Sequence, residues 1–165
     1  MAVTEKHSVL SPWVAVTVSV VPVLAAVLLG QAATLPHLAT WYASLTKPSF
    51  NPPDWVFGPA WTLLYALMAL ASWRILRTPS GGDRRLPMTL FFAQLLLNIL
   101  WSWCFFAFEN PLLGLFNIVP QWLLIVATID RFRRIDLTAS LALLPLALWV
   151  GFAAVLNFEI WRLNT

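Results

Sequence analysis

The chain has 165 residues, of which 60% are hydrophobic and only 10% are charged, against roughly 25% charged residues in an average soluble domain. This composition excludes an ordinary soluble domain and indicates a membrane protein. The single cysteine, Cys104, excludes an intrachain disulfide. Together with the two histidines of the chain, it offers too few ligands for a usual metal site. We therefore expect no metal and no required cofactor.

Five apolar runs are long enough to cross a bilayer, which takes about 20 helical residues, and short polar connectors separate them. The sequence thus predicts an all-α membrane protein, a bundle of five transmembrane helices with consecutive spans antiparallel. The first run is longer than the apolar part of a secretory signal, so we expect it to be retained. The predicted spans cover about residues 12–33, 57–76, 87–108, 112–132 and 137–161 of a membrane domain, residues 12–165, which follows a cytoplasmic extension, residues 1–11.

Lysine and arginine are distributed unevenly between the two sides of this bundle. Only Lys47 and Arg162 fall on one side, and the other side holds Lys6, Arg74, Arg77, Arg84, Arg85, Arg131, Arg133 and Arg134. Because basic residues concentrate in cytoplasmic loops, this pattern predicts a cytoplasmic N-terminus, with the C-terminus and residues 34–56 on the opposite face. Topology explains these charges without a nucleic-acid partner.

The connector between the first two spans combines prolines with aromatic residues in the stretch WYASLTKPSFNPPDWVFGPAW, residues 41–61. Prolines at 48, 52 and 53 restrict the backbone to extended conformations, so we expect residues 34–56 to form a stiff lid over the mouth of the bundle. Asn51 can cap the second helix with Pro52 at its first position. Alternatively, the regular helix begins at Pro59.

The spans carry no Asp, Glu, Lys, Arg or His near their middle, which disfavours proton relays and ion pumps. Amide, aromatic and other side chains recur instead at helical spacing in four of the spans: Trp61, Tyr65 and Met68; Gln94, Asn98, Trp101 and Phe105; Leu113, Asn117 and Gln121; Pro145, Trp149, Ala153 and Leu156. With the spans antiparallel, six of these fall in the half of the bilayer beneath the lid: Trp61, Trp101, Leu113, Asn117, Trp149 and Ala153. These stripes predict a cavity for a large, mostly apolar molecule. The alternative is that the amides only hold helices together and the tryptophans anchor the protein at the membrane interface.

The motifs WYASLTKPSFNPPDWVFGPAWTLLY, QLLLNILWSWCFF and LLPLALWVGFAAVLNFEIWRLN resemble those of the tryptophan-rich sensory protein or translocator protein (TspO) family, also called the peripheral-type benzodiazepine receptor family. The resemblance implies a five-helix bundle, often a homodimer, that binds porphyrins such as protoporphyrin IX. In animal members it also implies binding of cholesterol and of benzodiazepine or isoquinoline-carboxamide drugs. The family's pocket residues correspond to Trp41, Phe57, Gly58, Trp61, Tyr65, Asn98, Trp101, Phe105, Trp149, Ala153 and Leu156.

The resemblance implies a membrane receptor for porphyrins with a sensory or transport-related role. One alternative is light-dependent porphyrin breakdown at Trp41, Trp61 and Trp149, although no nucleophile, base or metal set in the sequence points to an enzyme. Another is passive transport of porphyrin, lipid or sterol. Leu156, Phe158 and Arg162 resemble a proposed cholesterol motif, but Phe158 replaces its tyrosine, and Leu146 replaces a tyrosine usual in the family after Pro145.

Overall fold

The computed structural model describes residues 10–79 and 83–165, and within these ranges the regular structure is helical. Five helical spans are long and apolar enough to cross a membrane, as predicted. Residues 1–9 of the predicted extension, which include Lys6, lie outside the described ranges. The elements are α1 (Pro12–His37) with a π-helical continuation (Leu38–Tyr42), α2 (Asp54–Arg77), α3 (Arg85–Ser102) with a π-helical continuation (Trp103–Ala107), α4 (Pro111–Arg133), α5 (Leu137–Ala142) and α6 (Leu144–Leu163).

Polar side chains cap three of the helices at the points where the sequence becomes apolar. Ser11 Oγ accepts a hydrogen bond from the Val14 backbone N–H, and Pro12 follows it at the first helical position. Asn110 Oδ1 caps α4 in the same way, with Pro111 next in the chain, and Asp136 Oδ1 caps α5. These caps satisfy backbone donors that have no partner within the helix, and they fix where each helix begins.

The non-helical connector between the first two spans is shorter than residues 34–56, which the sequence predicted as a lid. Helical structure continues from α1 through residue 44, so the non-helical strap covers only residues 45–53. Neither predicted start of the second helix is observed, because α2 begins at Asp54 with Pro53 as its N-cap. Asn51 instead accepts a hydrogen bond from the Tyr42 hydroxyl at 3.3 Å and donates one to the Pro52 carbonyl, so its side chain serves the strap.

The helices pack in a ring. α1 contacts α2 and α3, α4 contacts α3, α5 and α6, and α2 meets α5 at the end of the bundle away from the strap. We call this the basic end, because it carries Arg74, Arg84 and the Arg131–Arg134 segment, and we call the other the strap end. At the basic end the Arg74 guanidinium pairs with Asp136 at 2.8 Å, and Phe91 stacks on Phe132 with 6.0 Å between ring centroids. The core is thus tightly closed at the basic end.

Candidate ligand-binding cavity

A cavity of about 790 Å³ lies between α1, α2, α3 and α6 toward the strap end. Its size is within the range of about 300–1,000 Å³ that is usual for small-molecule and cofactor sites. Ten of the residues predicted from the sequence line it: Phe57, Gly58, Trp61, Tyr65, Asn98, Trp101, Phe105, Trp149, Ala153 and Leu156.

Aromatic rings form much of the cavity wall, and several of them contact one another. Trp101 stacks on Phe105 with a centroid separation of 5.1 Å and an interplanar angle of 19°. Phe57 meets Trp149 edge to face at 5.9 Å, which joins the wall of α2 to that of α6. Ring faces and edges on several sides of one space suit a large planar ligand, because aromatic pairs favour offset stacking and edge contacts.

The polar groups of the wall are mostly neutral. The Tyr65 hydroxyl donates a hydrogen bond to Asn98 Oδ1 at 2.7 Å, and the Trp101 indole N–H donates to Asn157 Oδ1 at 3.0 Å. Asp54, at the first turn of α2, is the one charged residue of the described lining. The cavity therefore offers hydrogen-bonding groups to a ligand's neutral edge but no cation to an anionic one.

Comparison with known proteins identifies the family to which the chain belongs. The model of the TspO/MBR family matches residues 18–162. The chain belongs to the TspO/MBR family. Tryptophan-rich protein TspO of Chlorobaculum tepidum is 45% identical over 131 residues, which cover 78% of this chain and 83% of that protein. The tryptophan-rich sensory protein of Cereibacter sphaeroides is 39% identical over 75% of this chain and 77% of its own length. The translocator protein of Homo sapiens is 32% identical over 75% of each chain.

Membership of the TspO/MBR family and five apolar helical spans make this chain an integral, multi-pass membrane protein. The cavity just described is therefore a cavity within the membrane domain of a TspO/MBR protein. It is bounded by four of the five spans, and the remaining span, α4, lies outside it.

Three residues predicted for the site do not line the cavity of this TspO/MBR chain. Trp41 packs against Phe105 and Phe106, with centroid separations of 5.4 and 6.4 Å, and lies outside the lining. Leu113 and Asn117 are on α4, which packs against α3 and α6. Their spacing correctly places them on one helical face, but spacing alone does not say which neighbouring helix that face meets.

The wall that α1 contributes was missed by the sequence analysis. It consists of Val20, Val23, Leu24, Val27, Gly30, Gln31, Thr34 and Leu35, and it continues through Leu38 and Tyr42. The helix is apolar on nearly every side and carries no aromatic stripe, so periodicity gives no reason to choose one face. Gly30 is no clear signal either, since a Cβ there would be in ordinary contact with Ser102 Oγ at 3.4 Å and with the Tyr65 hydroxyl at 4.0 Å.

The residues of the proposed cholesterol motif do not share one surface. Leu156 is buried and lines the cavity, whereas Phe158 is 44% exposed. Two residues along an α-helix correspond to a rotation of roughly 200°, which places these side chains on opposite faces. Arg162 pairs with Glu159 one turn earlier on α6. The motif therefore cannot contact one sterol with all three side chains in this arrangement.

Proposed function

We propose that this TspO/MBR protein is a membrane receptor for porphyrins and similar flat hydrophobic molecules, with a sensory or transport-related role in tetrapyrrole handling. The observation that carries the proposal is a cavity of about 790 Å³ whose wall includes Trp61, Trp101 and Trp149 together with Phe57 and Phe105. A macrocycle buried there gains from removal of apolar surface from water and from contact with aromatic rings.

The polar groups support a particular orientation of such a ligand. The Tyr65–Asn98 pair is available to the polar edge of the macrocycle. Because the lining offers no basic side chain in the described part of the chain, ionised carboxylates would be costly to bury and belong at the openings of the cavity.

Binding of protoporphyrin IX to the purified protein in detergent tests the proposal. Trp149→Ala and Trp61→Ala each remove a ring from the cavity wall, and we expect each to weaken binding by about tenfold, which corresponds to roughly 1.4 kcal/mol. Trp55→Ala is the matched control, because Trp55 is 75% exposed and outside the lining. Porphyrin absorbance is the readout, since it is independent of the number of tryptophans. Wild-type affinity in both cavity variants would contradict the proposal.

We also propose that the basic end of the bundle faces the cytoplasm. Among the described residues, seven lysines and arginines lie toward that end and two, Lys47 and Arg162, toward the strap end, which is the asymmetry that orients membrane proteins. Single-cysteine variants Ser49→Cys and Arg134→Cys in a Cys104→Ala background test this in intact cells. An impermeant maleimide should label the strap variant and spare the other one; the reverse pattern would show the opposite orientation.

A further inference from the structure

One side of the cavity is lined by exposed residues. Every exposed residue of its described lining lies on α1, on the π-helical continuation of α1, or on α2, whereas the lining residues of α3 and α6 are buried or half-buried. We call this side the seam, and it is formed by Leu24, Gln31 and Leu35 on α1 and by Gly58, Thr62 and Ala66 on α2. In a membrane the seam faces lipid.

The seam follows from how α2 is packed. The buried residues of α2 begin at Leu64 and continue to Leu76 toward the basic end, and none of residues 54–63 is buried. By contrast, α1 has buried residues along most of its length, from Ala15 to Ala33. The strap-end part of α2 therefore contributes Trp61 to the cavity and contacts α6 through Phe57 and Trp149, but it has no fully buried residue on the side toward α1.

The strap, residues 45–53, contributes no residue to the described lining, although Tyr42 and Asp54 on either side of it do. It is fastened to α6. The Thr46 backbone N–H donates a hydrogen bond to Asn164 Oδ1, and Asn164 Nδ2 donates one to the Thr46 carbonyl, both at 2.9 Å. Phe50 of the strap also contacts Phe152 of α6, with 6.3 Å between ring centroids. Lifting the strap would break a pair of hydrogen bonds and an aromatic contact, whereas within the described ranges no side-chain hydrogen bond or ring contact joins the seam residues of α1 to those of α2.

The side chains of the seam suit a ligand dissolved in the bilayer. The six named side chains are aliphatic or small apart from Gln31, and none of them is charged; Asp54, the one charged exposed residue of the described lining, lies one turn from Gly58 toward the strap end. Gln31 makes no side-chain hydrogen bond to a residue within the described ranges. A polar group that is exposed to lipid without a partner is costly, so the Gln31 amide is available to the polar edge of a passing amphiphile.

We propose that ligands enter and leave the cavity laterally, from lipid, through the seam between α1 and α2 while the strap stays closed. The inference rests on the proposed function and adds the class of ligand: a flat, largely apolar molecule already partitioned into the membrane. An entrance at the seam determines the rates of binding and release together, whereas contacts with the cavity wall determine the affinity.

The test is the rate of ligand transfer between membranes. Protein in phosphatidylcholine vesicles is loaded with protoporphyrin IX and mixed with empty phosphatidylcholine vesicles, and the loss of bound porphyrin is followed by fluorescence. We expect Thr62→Trp, which adds a large side chain at the seam, to slow release and binding alike by about tenfold while affinity changes less than about threefold. Ala66→Trp is a second variant of the same kind, in case the first fails to fold.

Leu63→Trp is the matched control. Leu63 neighbours Thr62 on α2 and is 58% exposed, but it is outside the lining, so its exchange rates should equal those of the wild-type protein. Asn164→Ala, which removes both hydrogen bonds to Thr46, should leave the rates within about twofold of wild type if the strap is not the route.

Release at the wild-type rate in both seam variants, or equal slowing in Leu63→Trp, would overturn the proposal. A tenfold faster release in Asn164→Ala without slowing in the seam variants would identify the strap as the route instead. The equilibrium affinity distinguishes failure of lateral entry from failure of the proposed function. A wild-type protein that binds no porphyrin refutes both proposals. Seam variants with normal affinity and wild-type rates refute only entry through the seam.

Discussion

The indole N–H of Trp101 donates a hydrogen bond to Asn157 Oδ1 at 3.0 Å and thereby joins α3 to α6. Asn157 is almost fully buried, and its amide nitrogen donates in turn to the Pro111 carbonyl at the start of α4 at 2.8 Å. One side chain thus connects three spans and holds an aromatic ring of the cavity wall in place. Gly114 packs directly against it, since a Cβ on Gly114 would lie 2.8 Å from Asn157 Oδ1.

Asn157→Leu should destabilise the protein and weaken ligand binding. The substitution leaves the Trp101 N–H and the Pro111 carbonyl without their partner, which costs about 1–3 kcal/mol of unfolding free energy. A lower thermal midpoint in detergent, together with weaker protoporphyrin IX binding, is the expected result. Gln31→Ala is the stability control for loss of an amide, because the Gln31 side chain makes no hydrogen bond within the described ranges. A midpoint equal to that of the control would show that Asn157 is not the connecting residue.

Gly114→Ala and Gly58→Ala should have opposite effects on stability. A Cβ added at Gly114 would meet Asn157 and Phe105 at 2.8 and 3.1 Å, and such overpacking costs about 1–3 kcal/mol. At Gly58 nothing lies within 4 Å of the added Cβ, so alanine should stabilise the helix by about 0.5–1 kcal/mol. Thermal unfolding of the two variants measures this difference, and equal midpoints would contradict the close packing at Gly114.

Asp136→Asn should reduce stability at neutral pH and not in acid. The hydrogen bonds from Arg74 hold the pKa of the Asp136 carboxyl below its usual range, with further bonds from the Ala139 N–H and the Thr78 hydroxyl. A lowered pKa means that the carboxylate stabilises the fold above the unfolded-state pKa of about 3.9 and that this contribution is lost as the pH falls through the lower, folded value.

At pH 7 we expect a loss of about 1 kcal/mol in Asp136→Asn, since solvent screens the partly exposed Arg74. The thermal midpoints of variant and wild type should converge as the pH falls below about 4. A constant difference at every pH would show that the ion pair is not the cause.

The dimethyl ester of protoporphyrin IX should bind at least as tightly as the free acid. Asp54 is the one charged side chain in the described lining, and it repels the carboxylates of the free acid. Asp54→Asn should therefore strengthen binding of the free acid by about threefold and leave the ester unchanged. Parallel titrations of both ligands measure this effect. A free acid that binds far more tightly than the ester would contradict the prediction, because it would require a basic side chain in contact with the porphyrin carboxylates.

The sequence predicted the number of spans because length and hydropathy alone determine which segments cross a membrane. It placed the ends of the connector less well, since Pro36 would favour a helix end there, yet the structure keeps it inside α1 and continues the helix in π form from Leu38. Helical spacing identified residues such as Trp61 and Trp149 because aromatic stripes differ from their surroundings. It could not identify the α1 wall, whose aliphatic residues resemble those that face lipid on the same helix.

The fourth span shows that helical spacing can also select residues that do not line the cavity. Asn117 has the spacing of a cavity residue, yet its side chain is on a helix outside the cavity, and its Oδ1 is buried without a hydrogen-bond partner among the described residues. Asn157, by contrast, lies on a helix that lines the cavity and connects α3, α4 and α6. Which amide faces which helix is decided by packing between spans, and a single sequence carries no direct record of that packing.

An experimental structure of the protein with bound protoporphyrin IX tests the central claim most directly. The account predicts the macrocycle between α1, α2, α3 and α6, in contact with the rings of Trp61 and Trp149 and with the Tyr65–Asn98 pair. A macrocycle bound instead to the lipid-facing surface, for example beside Phe158, with the cavity free of porphyrin, would contradict it.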